Sequence, residues 1–189
     1  MKLLRRKIDN YLKEWKSDKE KMPLIVKGAR QVGKTASILQ FAHDNYQNVV
    51  AINFVLQQKY KAIFEEGYEV DNIIRNLTLI NPSLKIEAGN TLIFFDEMQD
   101  CPACATSLKA FKIDGRYDVI CSGSLMGINY REIESNSVGY KEDYTMHSMD
   151  FEEFLWAKGY DSTFIERLYE KMVSITPLSN IEMDVLERL

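Results

Sequence analysis

Long apolar runs are missing from this chain of 189 residues. None approaches the ~20 residues that cross a bilayer, and the basic N-terminus has no uninterrupted apolar stretch behind it, which argues against a secretory signal. An excess of basic charge is missing too. Against 24 Lys and Arg stand 28 Asp and Glu, a net charge of −4, so the overall balance does not point to nucleic acid. The distribution is uneven: residues 1–22 carry a net +4 and the remainder −8. Histidine is scarce, with only His43 and His147, which disfavours metal catalysis independent of nucleotide. Cysteine is scarce and odd in number, with three residues, which fits a reducing cytoplasm rather than a disulfide framework. Two of them form Cys101-Pro102-Ala103-Cys104, but a zinc site needs two further ligands. Cys121 and the histidines supply no second pair, so the thiols are expected to pack as small core residues. There are no internal repeats and no low-complexity segments. What remains is ordinary: 46% apolar and 28% charged residues, enough for one α/β domain with a small appendage.

Within this composition one segment carries chemistry. Gly28-Ala29-Arg30-Gln31-Val32-Gly33-Lys34-Thr35 matches G-x-x-x-x-G-K-[ST] at every fixed position. The glycines let the backbone fold so that several N–H groups converge on one anion. Lys34 brings an ammonium to the β- and γ-phosphates, and the Thr35 hydroxyl is a ligand for Mg²⁺. The flanks agree. Leu24-Ile25-Val26 reads as a buried strand, and residues 34–45 have helical spacing through Ile38, Leu39 and Ala42. Residues 28–36, from Gly28 to Ala36, are therefore expected to hold phosphate at a helix N-terminus.

Elsewhere the pattern alternates. Leu4, Ile8, Tyr11, Leu12 and Trp15 share one helical face, expected to pack on the core. Val49–Phe54 and the nearly continuous apolar run Thr91–Phe95 read as strands, the latter buried on both sheet faces. Residues 57–80 read as two short helices broken near Gly67. A helix over Ala103–Phe111 and a strand over Asp118–Cys121 follow, with Gly123 and Gly127 bounding a turn. A further strand is expected near Tyr144–His147. Asp150-Phe151-Glu152-Glu153 looks like a helix cap with an acidic first turn, Gly159 ends that helix, and another covers roughly 162–173. Strands alternating with helices predict an α/β three-layer fold around a central parallel sheet. The expected division is an N-terminal helix over 1–22, a core over 23–158, and a helical lid or linker over 159–189. The helical pattern behind Ser179 stops without a glycine or proline terminator, so the chain is expected to be the front part of a longer protein.

A second motif completes the first. Asp96-Glu97 directly follows the strand 91–95, where Mg²⁺ coordination beside a phosphate loop is needed. Asp96 is expected to hold the metal through water, opposite Thr35. Glu97 would orient and deprotonate an attacking water. The strand Asp118–Cys121 ends in Ser122-Gly123-Ser124. If it lies between the other two, Ser124 or Ser122 can touch the γ-phosphate at its tip.

Taken together, these residues resemble the bacterial and archaeal AAA-like P-loop ATPases, in which the ATPase domain is usually followed by a C-terminal domain of unknown function. The resemblance runs from Arg6, Asp9, Leu12 and Trp15 through residues 27–35, Asn53-Phe54, residues 91–99 and 108–111. It continues through Gly123-Ser124-Leu125-Met126-Gly127 to residues 149–155, nearly the whole chain. It implies a P-loop NTPase core of the additional-strand, catalytic-glutamate type, with Walker A at 28–35, Walker B at 92–97 and a sensor-like serine at 124. It also implies ATP and Mg²⁺ as cofactors, and a parent about twice this length. Many relatives carry Gly-Arg or Gly-Lys after the sensor strand. Here Ser137-Val138-Gly139-Tyr140-Lys141 puts a tyrosine in that place, with Lys141 one position late. Arg116 and Arg131 are the other candidates for a base completing a neighbour's site, which matters because an arginine finger is worth thousands-fold in phosphoryl transfer.

The expected function is ATP binding and hydrolysis coupled to a conformational change. No Asn-Lys-x-Asp segment is present to read guanine. A small-molecule kinase would use the same loop with a mobile arginine-bearing lid and would not need Glu97. A nucleotide-responsive binding module with little turnover is a further class. Relatives are often suspected of contacting DNA, although the acidic balance of residues 23–189 argues against an extended phosphate-binding face. A missing C-terminal domain or a neighbouring subunit is the expected partner, and no membrane is.

Overall fold

A computed structural model describes residues 3–124 and 139–188. Its strands are β1 (Leu24–Gly28), β2 (Asn48–Asn53), β3 (Thr91–Asp96), β4 (Asp118–Ser124) and β5 (Glu142–Thr145). They form one five-stranded sheet in the order β2-β3-β4-β1-β5, every pair parallel. The extra strand β4 thus separates β1, which ends in the glycine-rich loop, from β3, which ends in the acidic pair. This is the α/β three-layer P-loop arrangement that the alternation of elements predicts.

Successive side chains of a strand point to opposite faces, and each face has its own core. Leu24, Val26, Leu92, Phe94 and Ile120 pack against Ile8, Leu12 and Trp15 of α1 (Lys7–Ser17) and against Ile38, Phe41 and Ala42 of α2 (Lys34–Asn45). Ile25, Ile93, Phe95, Val119 and Cys121 face Val70, Ile73 and Leu77 of α3 (Val70–Ile80) and Leu108 and Phe111 of α4 (Ala103–Asp114). The three cysteines lie in this second core, with the thiols of Cys104 and Cys121 3.7 Å apart. Burial pushes the Cys104 thiol well up, since a thiolate there would be desolvated. Among the described residues, no helix is long and apolar enough to cross a membrane.

Several boundaries differ from the sequence pattern. The first of the two helices expected over 57–80 is a 3₁₀ segment, Gln58–Phe64, ahead of α3. Strand β5 starts two residues before Tyr144, because its pairing runs from Glu142 opposite Leu24. The largest correction is at Gly123. It does not open a turn but lies inside β4, opposite Lys27. A Cβ at this position would stand 3.2 Å from Gln99 Oε1 and 3.3 Å from Met98 Cγ, so the glycine marks a close approach within the sheet. Gly127 and Arg131 lie outside the described residues.

The residues up to Lys7, with those from Met149 onward, cluster as a second compact unit. It holds α5 (Phe151–Ala157), α6 (Ser162–Ser174) and α7 (Asn180–Glu187). Helix α5 opens with the capping box that Asp150 and Glu153 suggest. Asp150 accepts from the Glu153 N–H while Glu153 accepts from that of Asp150. Glu153 is buried, accepts the Lys7 N–H at 2.7 Å and pairs with Arg6 Nε at 3.1 Å. A matching box of Ser179 and Glu182 opens α7.

Candidate nucleotide site

The site is built where β1 meets α2. Gly33, with φ 100°, leaves the loop in left-handed backbone immediately before the helix, and Gln31, with φ 65°, adopts the same region two residues earlier. Left-handed residues interleaved in this way turn successive N–H groups toward one concavity, an anion nest. Gln31 lacks glycine's freedom, and a strained position of this kind is characteristic of ligand cradles. Gly28 is required for another reason. A Cβ there would lie 2.2 Å from the carbonyl oxygen of Met146, whose own N–H donates to Lys27 O at 2.7 Å and fastens the end of β5 to β1. Gly28→Ala is therefore expected to lower stability by about 1–3 kcal/mol through overpacking and to weaken nucleotide binding. An unchanged midpoint in urea unfolding would contradict this.

Arg30, Gln31, Gly33, Lys34, Thr35, Ala36 and Glu97 line one open cleft of about 390 Å³. Lys34 is only 7% exposed, and its Nζ donates to the carbonyls of Gly28 at 3.0 Å and Ala29 at 2.6 Å. Desolvation lowers its pKa, opposed by the negative charges of Glu97 and Asp96. Val32 turns away from the cleft to pack on the α1–α2 core.

Asp96, at the end of β3, is 5% exposed and surrounded by donors. Thr35 Oγ1 lies 3.1 and 3.2 Å from its two carboxylate oxygens. Asn53 Nδ2 donates to it at 2.9 Å from the paired position on β2, and the Ser122 hydroxyl donates to it from β4. The half-buried Thr35 hydroxyl and the buried Asp96 carboxylate are hard oxygen donors suited to Mg²⁺. The ring of donors also fixes the carboxylate's orientation, as ligating carboxylates usually require. The residues present fit the ion.

Glu97 has φ 55°, left-handed for a non-glycine residue, which carries its side chain into the cleft beside Lys34. Ser124 is buried at the tip of β4, in register with Gly28. Of the two serines considered for the strand tip, Ser122 is spent on Asp96. The sequence pattern gives no role to Asn53 or Gln99. The signal for them is a polar residue at the end of β2 and another in the short 3₁₀ turn, Met98–Asp100, just behind the acidic pair. Of the candidate bases among the described residues, Arg116 pairs with Asp71 at 2.6 Å and Asp114 at 2.7 Å, and Lys141 pairs with Asp143. The Lys109 ammonium stands 4.9 Å from the ring centre of Tyr140.

A family model described as an AAA domain matches residues 20–155, well over half of the chain. The chain belongs to this AAA family. The matched residues include the glycine-rich loop, the acidic pair and the intervening strand, and the family is a nucleotide-binding ATPase family. No curated protein matches the chain. Among solved structures, it resembles the Pif1 helicase from Candida albicans, with TM-score 0.51, 13% identity, and 89% of this chain and 44% of that one covered. It resembles the Drosophila ORC bound to DNA, with TM-score 0.51, 16% identity and coverage of 86% and 48%. AMPPCP-bound DnaA from Aquifex aeolicus also matches, with TM-score 0.47, 13% identity and coverage of 94% and 53%. At these identities the Pif1 and ORC likenesses speak for the fold alone. The AAA chain spans about half the length of the solved chains it matches.

Proposed function

We propose that the chain binds ATP with Mg²⁺ and hydrolyses it at the cleft between residues 28–36 and Asp96-Glu97. The observation that carries this is the convergence of Lys34, Thr35 and Glu97 on one cleft, with Asp96 bonded to Thr35 beside it. In this reading the N–H groups of residues 29–35 hold the β- and γ-phosphates, and Lys34 exchanges its two carbonyl partners for phosphate oxygens. Thr35 and, through water, Asp96 would hold Mg²⁺, which supplies charge neutralisation across the phosphates when bound. Glu97 accepts a proton from water as its oxygen attacks the γ-phosphorus and the bond to the β–γ bridging oxygen breaks, releasing ADP and phosphate. Ser124, at the strand tip beside Gly28, touches the γ-phosphate and couples nucleotide state to conformation. Residues 159–189 act as a lid or linker toward a further domain or neighbouring subunit. The net charge of −8 on residues 23–189 speaks against an extended DNA-binding face.

The test is phosphate release from ATP with Mg²⁺ and with excess chelator. Turnover that stops on chelation is expected. Turnover indifferent to the chelator would contradict the metal role of Thr35 and Asp96.

A further inference from the structure

Gln99 touches two parts of the site at once. Its Nε2 donates to Glu97 Oε2, and its Oε1 accepts the backbone N–H of Ser124 at 3.3 Å. Nε2 also lies 3.3 Å from Asp100 Oδ2. Chemistry fixes which way the amide faces. Reversed, its oxygen would meet two carboxylates and its NH₂ would meet a peptide N–H, repulsive at both ends. Glutamate offers no donor for Glu97, methionine offers neither group, and lysine offers no acceptor for Ser124. The absence of a side chain at Gly123 gives the amide its room, since a Cβ there would crowd Oε1 at 3.2 Å.

The two ends of this bridge have different roles in the proposed reaction. Glu97 reaches the cleft from a left-handed backbone position and takes its direction from what holds its carboxylate. Ser124 stands opposite Gly28, the first residue of the phosphate loop. We propose that Gln99 is a positioning residue that aims the Glu97 carboxylate into the phosphate cleft and ties that aim to the tip of β4. A shift of the strand tip toward bound phosphate then draws on the same amide that orients the base. This inference rests on the ATPase function proposed above.

The test compares wild type with Gln99→Ala, Gln99→Met and Glu97→Gln in ATP turnover, ATP binding and thermal unfolding. Methionine keeps most of the volume, so a loss shared by both Gln99 variants is not the effect of a void. Both are expected to lower kcat by about tenfold to a hundredfold, as misplacement of a catalytic group does, with ATP affinity and Tm unchanged. Added to Glu97→Gln, Gln99→Met should cost nothing further in single-turnover rate, because there is no longer a base to aim. Wild-type kcat in Gln99→Met, beside an inactive Glu97→Gln, would overturn this inference and leave the ATPase function standing. Losses of kcat, affinity and Tm in step would also overturn it, by showing a purely structural role. Equal turnover in wild type and Glu97→Gln would remove the function of Glu97, and the role of Gln99 with it.

Discussion

Replacing Glu97 by glutamine is expected to lower kcat for ATP hydrolysis by about a thousandfold, within the 10²–10⁴ range for loss of a positioned general base. The substitution keeps the side chain's size and removes its ability to take a proton. It leaves Lys34, Thr35 and the loop backbone untouched, so ATP affinity should hold, and it removes one of the two negative charges acting on Lys34. The pairing of retained binding with lost turnover is the informative result. A phosphotransferase built on the same loop would tolerate the change, because its acceptor needs no carboxylate at this place. Titration with a fluorescent ATP analogue beside a phosphate-release assay reads both quantities. Turnover preserved in the variant would exclude Glu97 as the base.

The second large effect is on stability. Phe95 is fully buried, one residue before Asp96, with ring centres 5.6 Å from Phe54, 5.9 Å from Phe64 and 6.4 Å from Phe111. Its partners come from beyond β2, the 3₁₀ segment and α4, so no single neighbour can close a void left there. Phe95→Ala is expected to cost about 3–5 kcal/mol, as buried aromatic truncations do, a large share of the roughly 5–15 kcal/mol that holds a domain together. Urea unfolding of the two proteins measures it. A loss below about 1 kcal/mol would mean that this side of the sheet collapses onto the cavity, contrary to the close packing expected of a core.

Much of this was legible in the chain itself, for physical reasons that can be named. Residues 28–35 need glycine, lysine and threonine at fixed offsets, and the structure brings Gly33, Lys34 and Thr35 to one cleft with Glu97. The doubly buried strand 91–96 shows as the apolar run Leu92–Phe95 at its centre, and Asp150 with Glu153 announces a capping box through local hydrogen bonds. What escaped depends on contacts distant in sequence. Gly123 looks like a turn residue because a lone glycine is ambiguous. Only the approach of Met98 and Gln99 shows it belongs inside a strand. Asn53 and Ser122 lie 43 and 26 positions from the Asp96 carboxylate that they hold, a relation set by sheet order rather than by any local pattern. Ser122 also shows why a choice between two neighbouring serines is hard: alternation along β4 sends them in the same direction, and register alone separates their partners.

The most direct measurement is Mg²⁺-dependent phosphate release from ATP by the wild-type chain beside Lys34→Ala. Lys34 is the buried cation of the loop, held by two of the loop's own carbonyls, and its proposed role in the reaction is to meet the β- and γ-phosphates. Removing it is expected to abolish turnover and weaken ATP binding together, with the fold intact. Equal rates in the two proteins would contradict the assignment of this cleft as the ATP site.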